Sequence, residues 1–276
     1  MSKKVIVDME TGTILKELKE GDKIVSKDQS EAYKQRLDYM SRENNGHWVA
    51  CHHDSINKVI QDISLIHAGA IMKLLPYMRF NRKGLLMEGK ESLSQLHIES
   101  ILERSKDSTR KILNELIEHK IINVKKEGRK NTYYINEKFH TLGIMKKHNS
   151  FTKVFIEKLK EVSEKLNLNE LGLLYKILPF FHYEKYCLCE NPDETNLDEI
   201  VYLTRATLSE KVNYSYDKLG ILIKKLTVYG LMLNISSQRK SQYIIHPDLC
   251  YRKQNDSEHY AFTIELFNSF SKMKQK

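Results

Sequence analysis

Apolar residues recur at intervals of three and four along most of the chain and at intervals of two in a few short runs. These two periods divide it into helices and strands. Ile112, Leu113 and Leu116 line one face of a helix within RSKDSTRKILNELIEHKII, and Leu222, Ile223 and Leu226 do the same within YSYDKLGILIKKLTVYGLM. Ser105 and Ser215 stand before these helices as N-caps, with Asp107 and Asp217 in the first turn. A hydroxyl there accepts from an orphan backbone amide, and a carboxylate favours the positive helix end. A shorter helical run precedes each, SLSQLHIESILE and ATLSEKV, across a tight turn. Behind each, the period drops to two. IINVKKEGRKNTYYIN turns at Glu127-Gly128-Arg129, and LMLNISSQRKSQYIIH turns at Ser236-Ser237-Gln238, as β-hairpins do.

The same plan is therefore written twice. KLLPYMRF at Lys73 and KILPFFHY at Lys176 hold two of the chain's four prolines. Shifting the sequence by 103 residues lays Trp48, Ile56, Val59, Ile71 and Leu74 on Phe151, Leu159, Val162, Leu174 and Ile177. Beyond the inserted loop ENPDETNLDEI the offset becomes 110, and Ile98, Leu102, Tyr133 and Ile135 fall on Leu208, Val212, Tyr243 and Ile245. Such order over two segments is the mark of an internal duplication. Each copy predicts two helices, a short strand, a helix, a turn, a helix and two strands. A hairpin directly after a helix-turn-helix is a wing. The expected fold is mainly α with small β-hairpin wings: two tandem winged helix-turn-helix domains related by internal duplication. Residues 1–46 form a leader (a hairpin at VIVDMETGTILKEL, then a helix over SEAYKQRLDYMSREN), 47–147 the first domain, 148–252 the second and 253–276 a C-terminal helix.

Charge makes the two copies unequal. The chain carries a formal +9, and residues 47–147 hold 18 basic against 11 acidic residues, whereas 148–252 hold 14 against 13. A basic cluster invites a polyanion, and double-stranded DNA is the partner this grammar implies. The outward face of the first recognition helix is expected to offer Lys106, Thr109, Arg110 and Asn114, with Lys125, Lys126, Arg129 and Lys130 on its wing. Arg pairs bidentately with guanine and Asn with adenine, while wing lysines neutralise phosphates. The second copy offers Tyr216, Leu219, Gly220 and Lys224, with Arg239 and Lys240 on its wing. Gly220 stands where the first copy has Arg110. The first copy is thus expected to be the better reader.

Other chemistry is expected to be absent. The cysteines (Cys51, Cys187, Cys189, Cys250) and the clusters CHHD and HYEKYCLC lack the paired spacing of a structural zinc site, so no metal or cofactor is expected. Neither a glycine-rich phosphate loop nor G-x-S-x-G nor H-E-x-x-H occurs, so an enzyme is not expected. No apolar run approaches the roughly 18 residues of a membrane span, and the N-terminus lacks a signal sequence; a cytoplasmic protein is expected. Tyr260, Ile264, Phe267 and Phe270 fall at helical spacing near the C-terminus. That stripe either closes the second domain's core or pairs with a second chain in a homodimer.

VIVDMETGTIL, FTKVFIEKLKEV, YIIHPDLCYR and AFTIELFNSF together resemble the RepL-type replication initiators of small Gram-positive plasmids. The resemblance covers the leader and Phe151–Phe270, and this chain carries a further winged-helix unit between the two. It implies site-specific DNA binding in a plasmid or phage, with replication initiation at an origin as the first reading. Transcriptional regulation at an operator is the alternative, and a protein-interaction scaffold with degenerate winged helices the second alternative.

Overall fold

The computed structural model describes residues 5–8, 10–17, 26, 48–128, 130–143, 145, 150–237, 240–253 and 257–273. The helix expected over residues 30–44 lies outside them, as do Arg129 and Arg239. Residues Met1–Asn44 form one unit and Asn45–Lys276 another. In the first, β1 (Val5–Val7) pairs antiparallel with β2 (Ile14–Glu17). The Asp8 carboxylate accepts from the Glu10 and Thr11 amides and closes the turn, where Gly12 takes a φ of +69°.

The second unit opens with β3 (Trp48–His52), α1 (His53–Val59) and α2 (Leu65–Leu74). The short pair β4 (Met87–Glu88) and β5 (Glu91–Ser92) follows, then α3 (Gln95–Leu102) and α4 (Lys106–Glu118). The hairpin β6 (Ile122–Glu127) and β7 (Lys130–Ile135) and the strand β8 (His140–Thr141) end the first half. The second half runs β9 (Phe151–Phe155), α5 (Ile156–Ser163), α6 (Leu168–Lys176), α7 (Arg205–Lys211) and α8 (Tyr216–Val228). It closes with the hairpin β10 (Met232–Ser237) and β11 (Lys240–Ile245), then β12 (Cys250–Tyr251) and α9 (Ser257–Met273).

This is a mixed α/β fold, and it overturns the expected mainly α pair of tandem winged helices. Helix makes up 44% and strand 24%, with nine α-helices among the described residues and several small antiparallel sheets. One of those sheets decides the architecture. Its order is β12-β9-β3-β8, so each half contributes two strands and the central pair joins one half to the other. Trp48 and Phe151, expected within the opening helices, begin strands instead. Val49, Ala50, Cys51 and Val154 there are fully buried.

Beside the sheet α2 crosses α6 at a pair of glycines. A methyl built on Gly69 would lie 1.9 Å from the Leu168 carbonyl oxygen, and one on Gly172 the same 1.9 Å from that of Leu65. Only glycine allows backbones to approach so closely. Hydrogen bonds also cross the seam, between the His53 imidazole and the Thr152 hydroxyl (2.8 Å) and between the His140 imidazole and the Tyr175 hydroxyl (3.0 Å).

The repeated phrase finds its physical role here. Proline cannot supply an amide to a continuing helix, and Pro76 and Pro179 sit in the single 3-10 turns, Leu75–Tyr77 and Leu178–Phe180, that end α2 and α6. The lysine opening each phrase ties its helix to the turn between the next two helices. Lys73 pairs with Glu103 at 2.6 Å, and buried Lys176 donates to the Val212 carbonyl at 2.8 Å. Burial draws the Lys176 ammonium down to about 8. At the chain's end Phe267 is buried against His246, and the Tyr260 hydroxyl donates to Asp248.

Candidate nucleic-acid interface

In the first half α3 starts at Ser94, whose hydroxyl and the His97 side chain satisfy each other's amides. Glu103 takes the left-handed conformation (φ +54°) at its end, and Ser105 caps α4 by accepting from the Ser108 amide. Thr109, Ile112, Leu113 and Leu116 of α4 are buried. Each such apolar side chain contributes about 1.5–3 kcal/mol on burial, so this stripe fixes which face of α4 points outward.

That orientation sets the exposure of the expected residues. Lys106, Arg110 and Asn114 are exposed. Thr109 is not: it is 0% exposed. It precedes 112, 113 and 116 by three, four and seven positions, which places it on the core stripe and away from any ligand. Arg110 keeps 63% of its side chain in solvent, with Asp107 3.4 Å away. An ion pair that exposed is weak and easily exchanged for another anion.

Directly after α4, the hairpin turns through Gly128 at φ +63°. Lys125 lies opposite Thr132, Lys126 opposite Asn131 and Glu127 opposite Lys130. Lys125, Lys126 and Lys130 are exposed, and the Lys125 ammonium stands 4.9 Å above the Tyr134 ring. That cation–π contact restrains the Lys125 side chain, which stays exposed.

The second half builds a different surface on the same plan. Thr204 caps α7, and Asn213 takes the left-handed turn (φ +49°) before α8. Ser215 holds the cap position of α8, but its side chain makes no capping bond. Leu219, at the place of Thr109, is fully buried. Tyr216 and Lys224 are exposed; Lys225 instead turns back to the buried Glu170 of α6 at 2.9 Å. Lys240 opens β11.

Sequence reasoning missed one residue on this face, Arg205. It stacks its guanidinium over the Tyr216 ring at 3.7 Å. The bare Cα of Gly220 makes room for it, since a methyl built there would meet Arg205 Nη1 at 2.7 Å. Among the described residues this guanidinium has a stacking partner and no anionic one. It borders a groove of about 720 Å³ whose lining includes Thr204, Tyr216, Lys224 and Asn234. On its floor, burial pushes the Tyr243 hydroxyl upward and Arg205 opposes that shift. The available signal was Gly220 itself: a glycine in the middle of a helix costs stability and implies a close neighbour.

The cysteines belong to the core. All four are buried and free, and burial pushes Cys187 and Cys189 up to about 12. Among the described residues no group of three or more His, Cys, Asp or Glu could hold a metal, and no helix is long and apolar enough to cross a membrane. No protein family, curated protein or solved structure matches the chain.

Proposed function

We propose that this protein binds double-stranded DNA at a specific site. One observation carries the reading. Helix α4 buries one stripe and holds Lys106, Arg110 and Asn114 in solvent, and the next element is a hairpin bearing Lys125, Lys126 and Lys130. A solvated helix face of bidentate donors suits base edges in the major groove, and an adjacent basic hairpin suits the flanking phosphates. In the second half Arg205, Tyr216 and Lys224 take the corresponding place. The resemblance to RepL-type initiators favours an origin of replication as the location of the site, with an operator as the alternative.

The test is equilibrium binding to duplex across a salt series. Affinity should fall steeply with salt, and replacing Lys125, Lys126 and Lys130 together by Ala should weaken all sequences alike. Three lost phosphate contacts should flatten the log–log slope by about 2.7. An unchanged slope would show that the hairpin does not lie on the backbone. Selection from random DNA then separates the two locations. Sites beside an AT-rich stretch support initiation, and sites overlapping promoters support regulation.

A further inference from the structure

We infer that one copy of this chain occupies two half-sites set in opposite orientation along the duplex, so that its target has a dyad in its contacts but unlike bases in its two arms. The inference rests on the DNA-binding reading above and adds the form of the target.

It follows from the register of the seam. A residue of the first half corresponds to the one 103 further on in β9 and α6, and 110 further on beyond the inserted loop. In the central pair, Trp48 faces Phe155 and His52 faces Phe151. Exchanging every residue for its counterpart turns the first of these pairs into the second. It likewise turns Val49 facing Val154 into Thr152 facing Cys51, and it leaves Ala50 facing Lys153 unchanged. The outer strands obey the same exchange: Ala50 faces Thr141 and Lys153 faces Tyr251, while Cys51 faces His140 and Val154 faces Cys250. So do the helices, where Gly69 meets Leu168 and Gly172 meets Leu65 at one and the same distance, 1.9 Å. The counterparts Trp48 and Phe151 stack on each other, 5.9 Å apart with planes 8° from parallel. Residue i meeting j while the counterpart of j meets the counterpart of i defines an isologous interface, which only a two-fold rotation produces. A head-to-tail repeat would pair none of these positions reciprocally. The chain has the seam of a symmetric dimer with both subunits in one polypeptide.

The axis relates the DNA-facing parts because they are tied to the seam. Lys73 and Lys176 anchor the two inter-helix turns. In the second half Gln61 of the opposite half donates to the Lys211 carbonyl at 2.5 Å and accepts from Asn213 at 2.9 Å. Duplex DNA has its own two-fold axes, and two helix-and-hairpin surfaces related by such an axis meet inverted half-sites centred about 10 base pairs apart, or a multiple of that. The arms differ in sequence because Arg110 and Asn114 face one and Arg205, Tyr216 and Lys224 the other.

The experiment uses the full chain and duplexes carrying the motif it selects from random DNA. Mass measurement of the complex should give one chain per site, and hydroxyl-radical footprints should show a backbone pattern symmetric about its centre. Inverting one arm in place, which makes the contacts a direct repeat, should weaken binding about as much as scrambling that arm, roughly tenfold or more. Inserting about 5 base pairs at the centre puts the arms on opposite sides of the duplex and should do the same. Two chains per site, or indifference to the orientation of one arm, would overturn the inference while leaving DNA binding intact. Recovery of no motif at all would sink both.

Discussion

The two halves deliver a guanidinium to the same helix face from different places in the chain. In the first, Arg110 grows from α4 itself, beside Asp107. In the second that position is Gly220, and Arg205 comes across from α7 to lie on it and on Tyr216. The first-half counterpart of Arg205 is Gln95, which donates to Glu99 within its own helix. Position by position the second surface is emptied, yet its charge has been moved rather than lost. A stacked arginine is also more restrained than a solvated one, and a cation–π contact contributes about 0.5–2 kcal/mol. The first half thus carries an adaptable guanidinium and the second a preset one.

The largest effects should come from breaking the seam that makes the halves comparable. Gly69→Val places a branched side chain against the Leu168 backbone, where even a methyl has no room. It should cost roughly 3 kcal/mol or more, seen as a lowered urea midpoint. Gly172→Val should cost about the same, because the crossing is symmetric. Clearly different values would show that the two halves do not share this seam equally.

Acid should act on the seam next. Burial holds both His53 and His140 down to about 3, aided by Arg252 for the first and His52 for the second. In the unfolded chain both return to about 6.5. The unfolded state therefore takes up protons first as pH falls, and stability is full above about pH 6.5 and lost progressively toward pH 3. Between pH 7 and pH 5 each should withdraw about 2 kcal/mol. The counterpart of His140 is Cys250, so His140→Cys makes the two sides alike and should remove that residue's share of the pH dependence. Equal urea stability at pH 7 and pH 5 in the natural chain would contradict the buried neutral state.

What the sequence disclosed and what it hid divide along the range of the interactions. The stripe of 112, 113 and 116 and the turn at Gly128 are local, and periodicity exposed both. Thr109 was equally legible by its spacing from 112, 113 and 116, yet its hydroxyl suggested a ligand contact; position on the helix outweighs residue type there. Strands β3 and β9 were not legible. Five residues that begin as Trp-Val-Ala or Phe-Thr-Lys and run straight into a helix show no alternation of their own. Their partners are about a hundred residues away, so the pairing that makes this a mixed α/β fold has no local signature. Arg205 was hidden for the same reason, since its contacts come from another helix.

At the interface, single truncations should separate the arms. Arg110→Ala should cost about 1–3 kcal/mol and relax base preference in one arm of the selected motif. Arg205→Ala should cost a comparable amount in the other. The check is repeated selection with both variants at one salt concentration. Relaxation of the same arm by both would mean that the two residues do not serve separate half-sites.

The smallest change gives the finest discrimination. Gly220→Ala adds one methyl to the middle of α8, where alanine is favoured over glycine by about 1 kcal/mol on helix propensity alone. That methyl would come 2.7 Å from Arg205 Nη1, the far end of a flexible side chain, so Arg205 must lift from the Tyr216 ring while the fold stays intact. Losing the stack should cost about as much stability as the better helix former returns. The urea midpoint should therefore hold or rise slightly, whereas affinity for duplexes mutated only in the Arg110 arm should fall a few-fold. Stability and binding would then move apart in a single variant, which a purely structural role for the Arg205 stack does not allow. If both midpoint and affinity stay put, Arg205 keeps its place by some other contact and Gly220 is not what seats it. If affinity for the Arg205 arm alone is lost, the guanidinium is a DNA contact and Gly220 is the space that the second half reserves for it.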